Sequence, residues 1–518
     1  MKKLPIGIQT FSELVDPVEN NVYVDKTDII LNLIKNGKYY FLSRPRRFGK
    51  SVLLSTLDEI FSANQVLFKD LAIEHQWNWE VAYPVIRLSF GGGEFRTEAL
   101  FDEVIRLNLL RNQKKLDIYC DKELSPGACF RELIISAYEH YQQKVVILID
   151  EYDKPIIDVI TDKELARFNR DKLKGLYGVM KDLDEYIKFV MITGVSKFAK
   201  LNLFSGLNNL EDITLDKRYS TLCGYTHSQV NEVFAEHLKG VDMEKLKRWY
   251  NGYNYFGEPV YNPFDILLFI SKDKEYRNYW WSTGNPSFLI DKLKEQNYYL
   301  PELQNFIADD MLLESFDVDY IDLIALLWQT GYLTFAEKMT KRDQLVYRLK
   351  VPNREVQASL NGLFIDYLTN HKHQKMSQQD QLYDALEADN LEGFKQALSG
   401  LFASIPYHNY ANNIIANYEG YYASVVYTYL ASLGVPMVAE DTTNKGRIDL
   451  TLLMPNKIII VEFKVDVKAG ESMAIEQIKS KQYAEKYTLK KEPIYLLGIH
   501  FDSNDKNITA FEWEKYSA

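Results

Sequence analysis

The chain has 518 residues, 46% of them hydrophobic and 26% charged. These fractions are typical of an ordinary globular protein and exclude a disordered, collagen-like or coiled-coil chain. The net charge is −11, from 61 Lys and Arg against 72 Asp and Glu, whereas a protein wrapped in nucleic acid along its whole length should be basic. Any contact with nucleic acid must therefore be local.

The cysteines and the apolar runs indicate where the protein works. Cys120, Cys129 and Cys223 form no Cys-x-x-Cys pair, which predicts neither a disulfide framework nor a cysteine zinc site and favours a reducing cytoplasm. The N-terminus lacks an apolar signal-peptide core, and the longest apolar runs are about a quarter of a membrane span. We expect a cytoplasmic protein with no membrane association.

Apolar strands alternate with helical patterns in the first 222 residues. At about 100–200 residues per domain the chain predicts about three domains, and residues 1–222 form the first. The predicted strands are Tyr39–Leu42, Val85–Phe90, Val145–Ile149 and Phe189–Thr193. Strands separated by helices predict a parallel sheet covered on both faces.

A phosphate-binding loop is predicted after the first strand. The order of strand, loop, Gly49-Lys50-Ser51 and apolar helix is the context of a P-loop. Gly49 allows close approach of the backbone, Lys50 can reach the β- and γ-phosphates, and Ser51 can bind Mg²⁺. Arg44 stands where the motif has its first glycine, and a helix N-terminus with a chance Gly-Lys-Ser is the alternative. The residues predicted to contact ATP are Arg46, Arg47, Phe48, Gly49, Lys50, Ser51 and Val52.

A second strand ends in two carboxylates, Asp150 and Glu151. Ligands bind at the carboxyl ends of parallel strands, so Asp150 is suited to hold Mg²⁺ and Glu151 to orient an attacking water as a catalytic residue. The alternative is an acidic strand end that caps the next helix. Thr193 can sense the γ-phosphate or simply cap its strand, and Arg218 is an arginine-finger candidate or a surface residue.

The remaining chain predicts a helical middle domain and a C-terminal α/β domain. Residues 223–375 have aromatic-rich helical patterns, and Trp280-Trp281 suit core packing better than base stacking. In residues 376–518 we predict two helices, Tyr383–Leu401 and residues 419–433. Strands follow at Arg447–Leu453, Lys457–Lys464 and Ile494–His500, with a strand at Met437–Glu440 as an option and a helix from Glu471 to Tyr487 before the last strand.

A hairpin in this domain carries a second candidate site. If it is symmetric about the turn at Pro455-Asn456, Asp449 and Glu462 are opposite each other, and Lys464 shares the face of Glu462. Opposed carboxylates are unfavourable unless a divalent cation bridges them, and Mg²⁺ prefers oxygen ligands. With a lysine to position water, this is a hydrolytic centre for phosphodiesters. A surface strand pair with an ion pair is the alternative.

Glu419 is a further candidate metal ligand beside Asp449 and Glu462. It lies on the buried side of an otherwise apolar helix, and a buried unpaired carboxylate is costly. The alternative is a partly exposed acid at a helix start, favoured by the helix dipole.

The chain resembles bacterial proteins that join an N-terminal AAA-ATPase-like domain to a C-terminal PD-(D/E)XK nuclease domain. The likeness covers nearly the whole chain and includes residues 23–27, 44–51, 149–155, 193–198, 204–210, 250–253, 446–449 and 462–464. The resemblance implies nucleotide and Mg²⁺ binding at Lys50 and Ser51, and a nuclease triplet of Asp449, Glu462 and Lys464. Some relatives carry Gln-x-x-x-Tyr on the next helix, whereas here Gln477 is at the wrong offset from Tyr483.

The leading hypothesis is therefore an ATP-dependent nuclease or nucleic-acid-processing ATPase, with ATP and Mg²⁺ as cofactors and DNA a better candidate than RNA. An oligomer is compatible with the sequence. Two alternatives stay open. One is a nucleotide-driven switch or scaffold whose nuclease-like domain binds without cutting, and the other is an ATP-binding protein that does not hydrolyse ATP.

Overall fold

A computed structural model describes residues 1–121, 123–197, 207, 209–281, 306–313, 318–369, 375–405, 419–466 and 473–517. It separates into two compact units. The first unit comprises residues 1–285 and 307–354, and the second is built on residues 355–518. The segment after residue 222 belongs to the first unit as far as residue 354. That this segment forms a separate domain with boundaries at 222 and 375 remains a prediction.

The first unit is built on a five-stranded parallel sheet in the order β2-β3-β4-β1-β5. Its strands are β1 (Tyr39–Ser43), β2 (Val85–Ser89), β3 (Val145–Asp150), β4 (Ile187–Gly194) and β5 (Glu211–Asp212). All four predicted strands are present. Every residue of β1 and β3 is buried, as expected for a parallel sheet covered on both faces. The helices up to β4 are α1 (Phe11–Leu14), α2 (Thr27–Asn36), α3 (Lys50–Phe61), α4 (Glu98–Leu116), α5 (Pro126–Tyr141), α6 (Lys154–Ile157) and α7 (Lys163–Asp182).

The middle segment contains helices, as predicted, and also two small sheets that were not predicted. It forms a two-stranded sheet of β6 (Tyr225–Thr226) and β7 (Val260–Tyr261), and an antiparallel sheet of β8 (Ile307–Asp309), β9 (Thr334–Lys341) and β10 (Gln344–Lys350). The turn at Arg342-Asp343, where both residues have positive φ, lets β9 and β10 pair as a hairpin. The helices here are α8 (His227–Val233), α9 (Met243–Tyr250), α10 (Pro263–Ser271), α11 (Asp310–Leu313) and α12 (Leu323–Thr330).

A disulfide joins Cys120 to Cys129, which corrects the expectation that the cysteines would be unlinked. The two Cα atoms lie 5.5 Å apart because α5 starts directly after the loop that carries Cys120. Cys223 is free and buried. Trp280 is buried against Tyr332, as the packing interpretation predicts.

The second unit is a five-stranded mixed sheet in the order β11-β12-β13-β14-β15, with β13 and β14 parallel and the other pairs antiparallel. The strands are β11 (Met437–Thr442), β12 (Arg447–Met454), β13 (Lys457–Val465), β14 (Ile494–Asp502) and β15 (Asn507–Lys515). The optional first strand is present, and the last strand was not predicted. Its residues are only partly buried, so it lacks a strong apolar pattern.

The described residues of this part of the chain form five helices: α13 (Arg354–Thr369), α14 (Lys375–Glu387), α15 (Leu391–Ser404), α16 (Glu419–Leu433) and α17 (Met473–Ser480). The single helix predicted over Tyr383–Leu401 is two, because Asn390 caps α15 by accepting the N–H of Gly393 (2.8 Å). The helix predicted to reach Tyr487 ends at Ser480 and gives way to a 3₁₀ turn, Tyr483–Tyr487, after a left-handed Gln482. Glu471, its predicted start, lies outside the described residues.

No described helix combines the length and the apolar character that a membrane crossing requires. Residues 198, 204–206 and 208, which belong to the stretches that carry the family resemblance, also lie outside the described part of the chain.

Candidate functional site

The predicted P-loop lines a cavity of about 570 Å³ in the first unit. Gly49 has a φ of 93° and is the N-cap of α3, a left-handed conformation that glycine adopts without steric cost. The free N–H groups of a helix N-terminus attract phosphate. The cavity volume is within the range of about 300–1,000 Å³ that small-molecule sites occupy, so the turn is open to a nucleotide.

Three cations of the loop line this cavity: Arg46, Arg47 and Lys50. Arg46 and Arg47 are exposed, whereas Lys50 is buried, and burial lowers the pKa of its ammonium group. The Lys50 amine donates to the carbonyl oxygens of Arg44 (2.8 Å) and Pro45 (3.0 Å). A bound triphosphate would compete with these two carbonyls for the Lys50 amine.

The acidic end of β3 lies beside the loop. Thr193 Oγ1 donates to Asp150 Oδ1 (2.9 Å), and Asp150 is buried. Glu151 lines the cavity with a φ of 52°, and its pKa is raised by burial and by the charge of Asp150. The hydrogen bond from Thr193 orients the Asp150 carboxylate, which agrees with the alternative that Thr193 caps its strand. Sensing of the γ-phosphate by Thr193 stays a prediction.

Asp153 is a cavity residue that the sequence reasoning did not assign. Its Oδ2 accepts the N–H of Val195 (3.0 Å) and both the N–H (2.6 Å) and the hydroxyl (2.6 Å) of Ser196. Burial raises the pKa of this carboxyl group. Asp153 thereby fixes the loop after β4 against the cavity. Asp153 lies within residues 149–155, one of the stretches that carry the family resemblance, and this position could have identified it from the sequence.

Arg218 gains no support as an arginine finger within this chain. Its guanidinium group is held by Asp216 and Glu211, and about half of its side chain is exposed.

In the second unit, β12 and β13 have the register that a symmetric hairpin predicts. Main-chain pairing runs from Met454 with Lys457 to Leu450 with Val461, so the next residues along, Asp449 and Glu462, face each other. Asp449 Oδ2 then accepts the N–H of Phe463 (2.8 Å), which anchors the Asp449 carboxylate at the start of the hairpin.

The two carboxyl groups are hard to ionise together. Glu462 is 1% exposed, and burial followed by the charge of Asp449 raises its pKa to about 8. Burial also raises the pKa of Asp449 to about 6. Lys464 Nζ lies 3.5 Å from Glu462 Oε1 and donates to the Phe463 carbonyl (2.7 Å). The structure therefore brings together the three predicted nuclease residues.

Gln477 is also part of this site, although its spacing argued against it. Its amide donates to Glu462 Oε1. α17 packs close to β14 because Gly498 has no side chain, since a Cβ there would lie 2.9 Å from the Cβ of Ala474. The Tyr483 hydroxyl donates to the carbonyl of Arg447 (3.0 Å). Gln-x-x-x-Tyr places both residues on one helix, four residues apart. Because the helix here ends between Gln477 and Tyr483, that spacing does not apply to this pair.

The residues present fit a hard cation at the hairpin. Within the described part of the chain, the buried Glu462 Oε2 has no hydrogen-bond partner. Asp449 faces Glu462, and the carbonyl of Phe463 accepts from the same Lys464 ammonium group that approaches Glu462, so both offer further oxygen ligands. Within the described residues, no group of three or more His, Cys, Asp or Glu side chains is arranged to hold a metal ion. Glu419 Oε1 lies 3.5 Å from Lys464 Nζ, but 42% of its side chain is exposed, so the prediction of a buried position is wrong and the partly exposed acid at a helix start describes it. Its role as a third ligand remains a prediction.

Comparisons with known proteins agree with this division of sites. A family model described as "Predicted AAA-ATPase" matches residues 5–204, and a PD-(D/E)XK nuclease superfamily model matches residues 417–511. An "Uncharacterized protein in vnfD 5'region" from Azotobacter chroococcum mcd 1 is 47% identical over 511 residues, 98% of each chain. The chain belongs to the family of proteins that join an AAA-ATPase-like domain to a C-terminal PD-(D/E)XK nuclease-superfamily domain.

Among solved structures, the Aeropyrum pernix ORC1 protein in complex with DNA matches with 12% identity and a TM-score of 0.27. The match covers 68% of this chain and 96% of that chain.

Proposed function

We propose that the chain is an ATP-binding, AAA-like ATPase fused to a Mg²⁺-dependent phosphodiesterase that cuts nucleic acid, DNA rather than RNA. The observation that carries this proposal is the buried Glu462. It faces Asp449, lies 3.5 Å from an ammonium group and has one oxygen with no hydrogen-bond partner among the residues that the structure describes. Such an arrangement is costly for a protein unless a cation completes it.

At the hairpin, Asp449, Glu462 and the Phe463 carbonyl would hold Mg²⁺. When bound, the ion supplies Lewis-acid stabilisation of the charge on the phosphodiester. The contacts of Lys464 Nζ with Glu462 and the Phe463 carbonyl place its ammonium group at the site. From there Lys464 holds and orients the attacking water through its ammonium hydrogens. Gln477 fixes the rotamer of Glu462.

At the P-loop, the helix N-terminus and Lys50 bind the phosphates, and Ser51 and Asp150 would hold the Mg²⁺ that accompanies ATP. Glu151 lines the same cavity and is the candidate for orienting the attacking water. Its raised pKa, caused by burial and by Asp150, suits a group that accepts a hydrogen bond from water.

A cleavage assay tests the proposal. The full chain is incubated with single- and double-stranded DNA and RNA, in Mg²⁺ or EDTA, with ATP, a non-hydrolysable analogue or no nucleotide. We expect Mg²⁺-dependent cleavage of DNA that Glu462→Ala abolishes while ATP binding is kept. The matched control is Glu476→Ala, an exposed glutamate on α17. Unchanged cleavage by Glu462→Ala would overturn the assignment of the site.

Nucleotide-dependent binding of nucleic acid without any cleavage would instead favour the switch or scaffold hypothesis. Lys50→Ala separates the two sites, because it should remove nucleotide binding and leave the hairpin intact. Unchanged nucleotide affinity in Lys50→Ala would refute the P-loop assignment.

A further inference from the structure

Arg44, which replaces the first glycine of the P-loop motif, is almost completely buried. It is 1% exposed. Nη1 of its guanidinium group donates to the carbonyl oxygens of Ser43 (2.8 Å) and Thr214 (2.9 Å), and the group stacks on the ring of Tyr255 at 3.6 Å. All of these residues belong to the first unit.

Burying the charged guanidinium group of Arg44 costs free energy, and the contacts of the side chain do not offset that cost in full. Among the residues that the structure describes, no carboxylate accepts a hydrogen bond from Arg44, and its buried Nε and Nη2 atoms find no hydrogen-bond partner. The nearby carboxylate of Asp212 is engaged by Lys197 (2.8 Å). A cation without a carboxylate partner is costly in a protein interior. Buried N–H groups that make no hydrogen bond, such as those of Nε and Nη2, add to that cost. The aromatic face of Tyr255 is the main compensation for the charge.

Arg44 contacts three parts of the first unit around the cavity. Its main-chain carbonyl accepts the Lys50 amine (2.8 Å), and its main-chain N–H donates to the Gly194 carbonyl (3.2 Å) at the end of β4. Its side chain reaches Tyr255, in the segment after α9. One residue therefore links the phosphate-binding lysine, the central sheet and the middle segment.

The middle segment also holds the next residues of the loop. A Cβ at Gly331 would lie 2.7 Å from Pro45 Cγ, so the Pro45 ring packs directly on that glycine. Further contacts are Asn262 Nδ2 to the Arg46 carbonyl (3.4 Å), Arg47 over the Phe264 ring (4.9 Å) and Phe48 against the Tyr253 ring (4.8 Å). The loop is thus held residue by residue, and Arg44 and Phe48, each 1% exposed, are both almost completely buried in these contacts.

We propose that Arg44 is a positioning residue for nucleotide binding, which fixes the start of the P-loop by stacking on Tyr255 and so replaces the conformational freedom of the missing glycine with a packed contact. The inference rests on the proposed nucleotide binding at this cavity. Arg44 has no positive φ, so the loop starts along a path open to any L-residue and the stack holds it there. Nucleotide affinity then depends on the guanidinium plane, and restoring glycine does not improve the site.

The test measures the dissociation constant for ATP by calorimetry on the full chain. Arg44→Gly restores the usual motif, yet we expect affinity to fall about tenfold or more, which corresponds to about 1.4 kcal/mol. Arg44→Lys keeps the charge but loses the planar stack, and should bind as weakly as Arg44→Gly. Tyr255→Leu should lose the same affinity, whereas Tyr255→Phe keeps the ring face and should bind as wild type does.

A double-mutant cycle distinguishes positioning from general damage to the fold. If the stack carries the effect, Arg44→Lys combined with Tyr255→Leu should be no worse than either variant alone. Lys245 stacks on Tyr276 at 4.5 Å elsewhere in the first unit, so Lys245→Met is the matched control and should leave affinity unchanged. Thermal unfolding identifies any variant that fails to fold, and the Tyr255 variants test the same contact from its other side.

Two results would overturn the inference. One is wild-type affinity in Arg44→Gly or in Tyr255→Leu, while Lys50→Ala abolishes binding, which leaves the proposed function standing. The other is additive loss in the double-mutant cycle. Absence of nucleotide binding in the wild-type chain would instead defeat the proposed function, and the inference with it.

Discussion

Replacing Glu462 by glutamine should stabilise the metal-free second unit near pH 8, although it removes a residue that we assign to catalysis. Burial and Asp449 raise the pKa of the Glu462 carboxyl group from 4.5 to about 8. Between these values the unfolded chain is ionised and the folded chain keeps its proton. The folded state therefore binds more protons, and its stability falls as the pH rises.

The magnitude follows from the two pKa values. Their difference, 8 − 4.5, at about 1.4 kcal/mol per pH unit, gives a ceiling of about 5 kcal/mol for the stability lost by pH 8. Local relaxation and water entry around the ionised carboxylate reduce this cost, and we expect about 1–3 kcal/mol. Glutamine keeps the shape and the carbonyl acceptor for Gln477 but has no charge to bury.

Amide hydrogen exchange in β12 and β13 measures this effect in the full chain, because it reports the opening of one unit. In EDTA at pH 8, Glu462→Gln should exchange more slowly than wild type, and the difference should vanish only below about pH 4.5, where the unfolded chain is protonated as well. Added Mg²⁺ should slow exchange in wild type more at pH 8 than at pH 6, because metal ligands must be deprotonated. Glu476→Gln is the control. Equal exchange in Glu462→Gln and wild type at pH 8 would refute the reasoning.

Three further predictions concern single residues. Lys464→Met should reduce cleavage at least about a hundredfold yet keep Mg²⁺ protection against exchange, and loss of that protection would mean that the ammonium group serves the fold instead. Cys129→Ser should lower the unfolding free energy of the first unit by about 2–3 kcal/mol, and dithiothreitol should have the same effect on wild type in thermal unfolding. Gly252→Ala should cost more than about 3 kcal/mol, because its φ is +128° and the new Cβ would overlap the carbonyl oxygen of Pro352. Gly240→Ala, with open space at a φ of +78°, should cost only about 1 kcal/mol in the same measurement.

Strands β1 to β4 of the first sheet and β12 to β14 of the second unit were predictable because their residues are buried on both faces or alternate with a clear period. Val145–Asp150 is buried throughout, so it is apolar until its carboxylate end. The β12–β13 register was predictable for a related reason. A short turn fixes the pairing, and a slip by one residue would move every buried side chain to the other face. That is why the opposition of Asp449 and Glu462 could be derived from the order of residues.

The contacts that complete each site depend on tertiary structure. Gln477 reaches Glu462 only because α17 packs closely over Gly498. The stack of Arg44 on Tyr255 joins residues more than 200 positions apart in sequence, and such contacts leave no periodicity to read. Local pattern determined which elements form and which side chains share a face, because both are set by neighbours along the chain. The partner of each buried charge was decided by packing between distant elements.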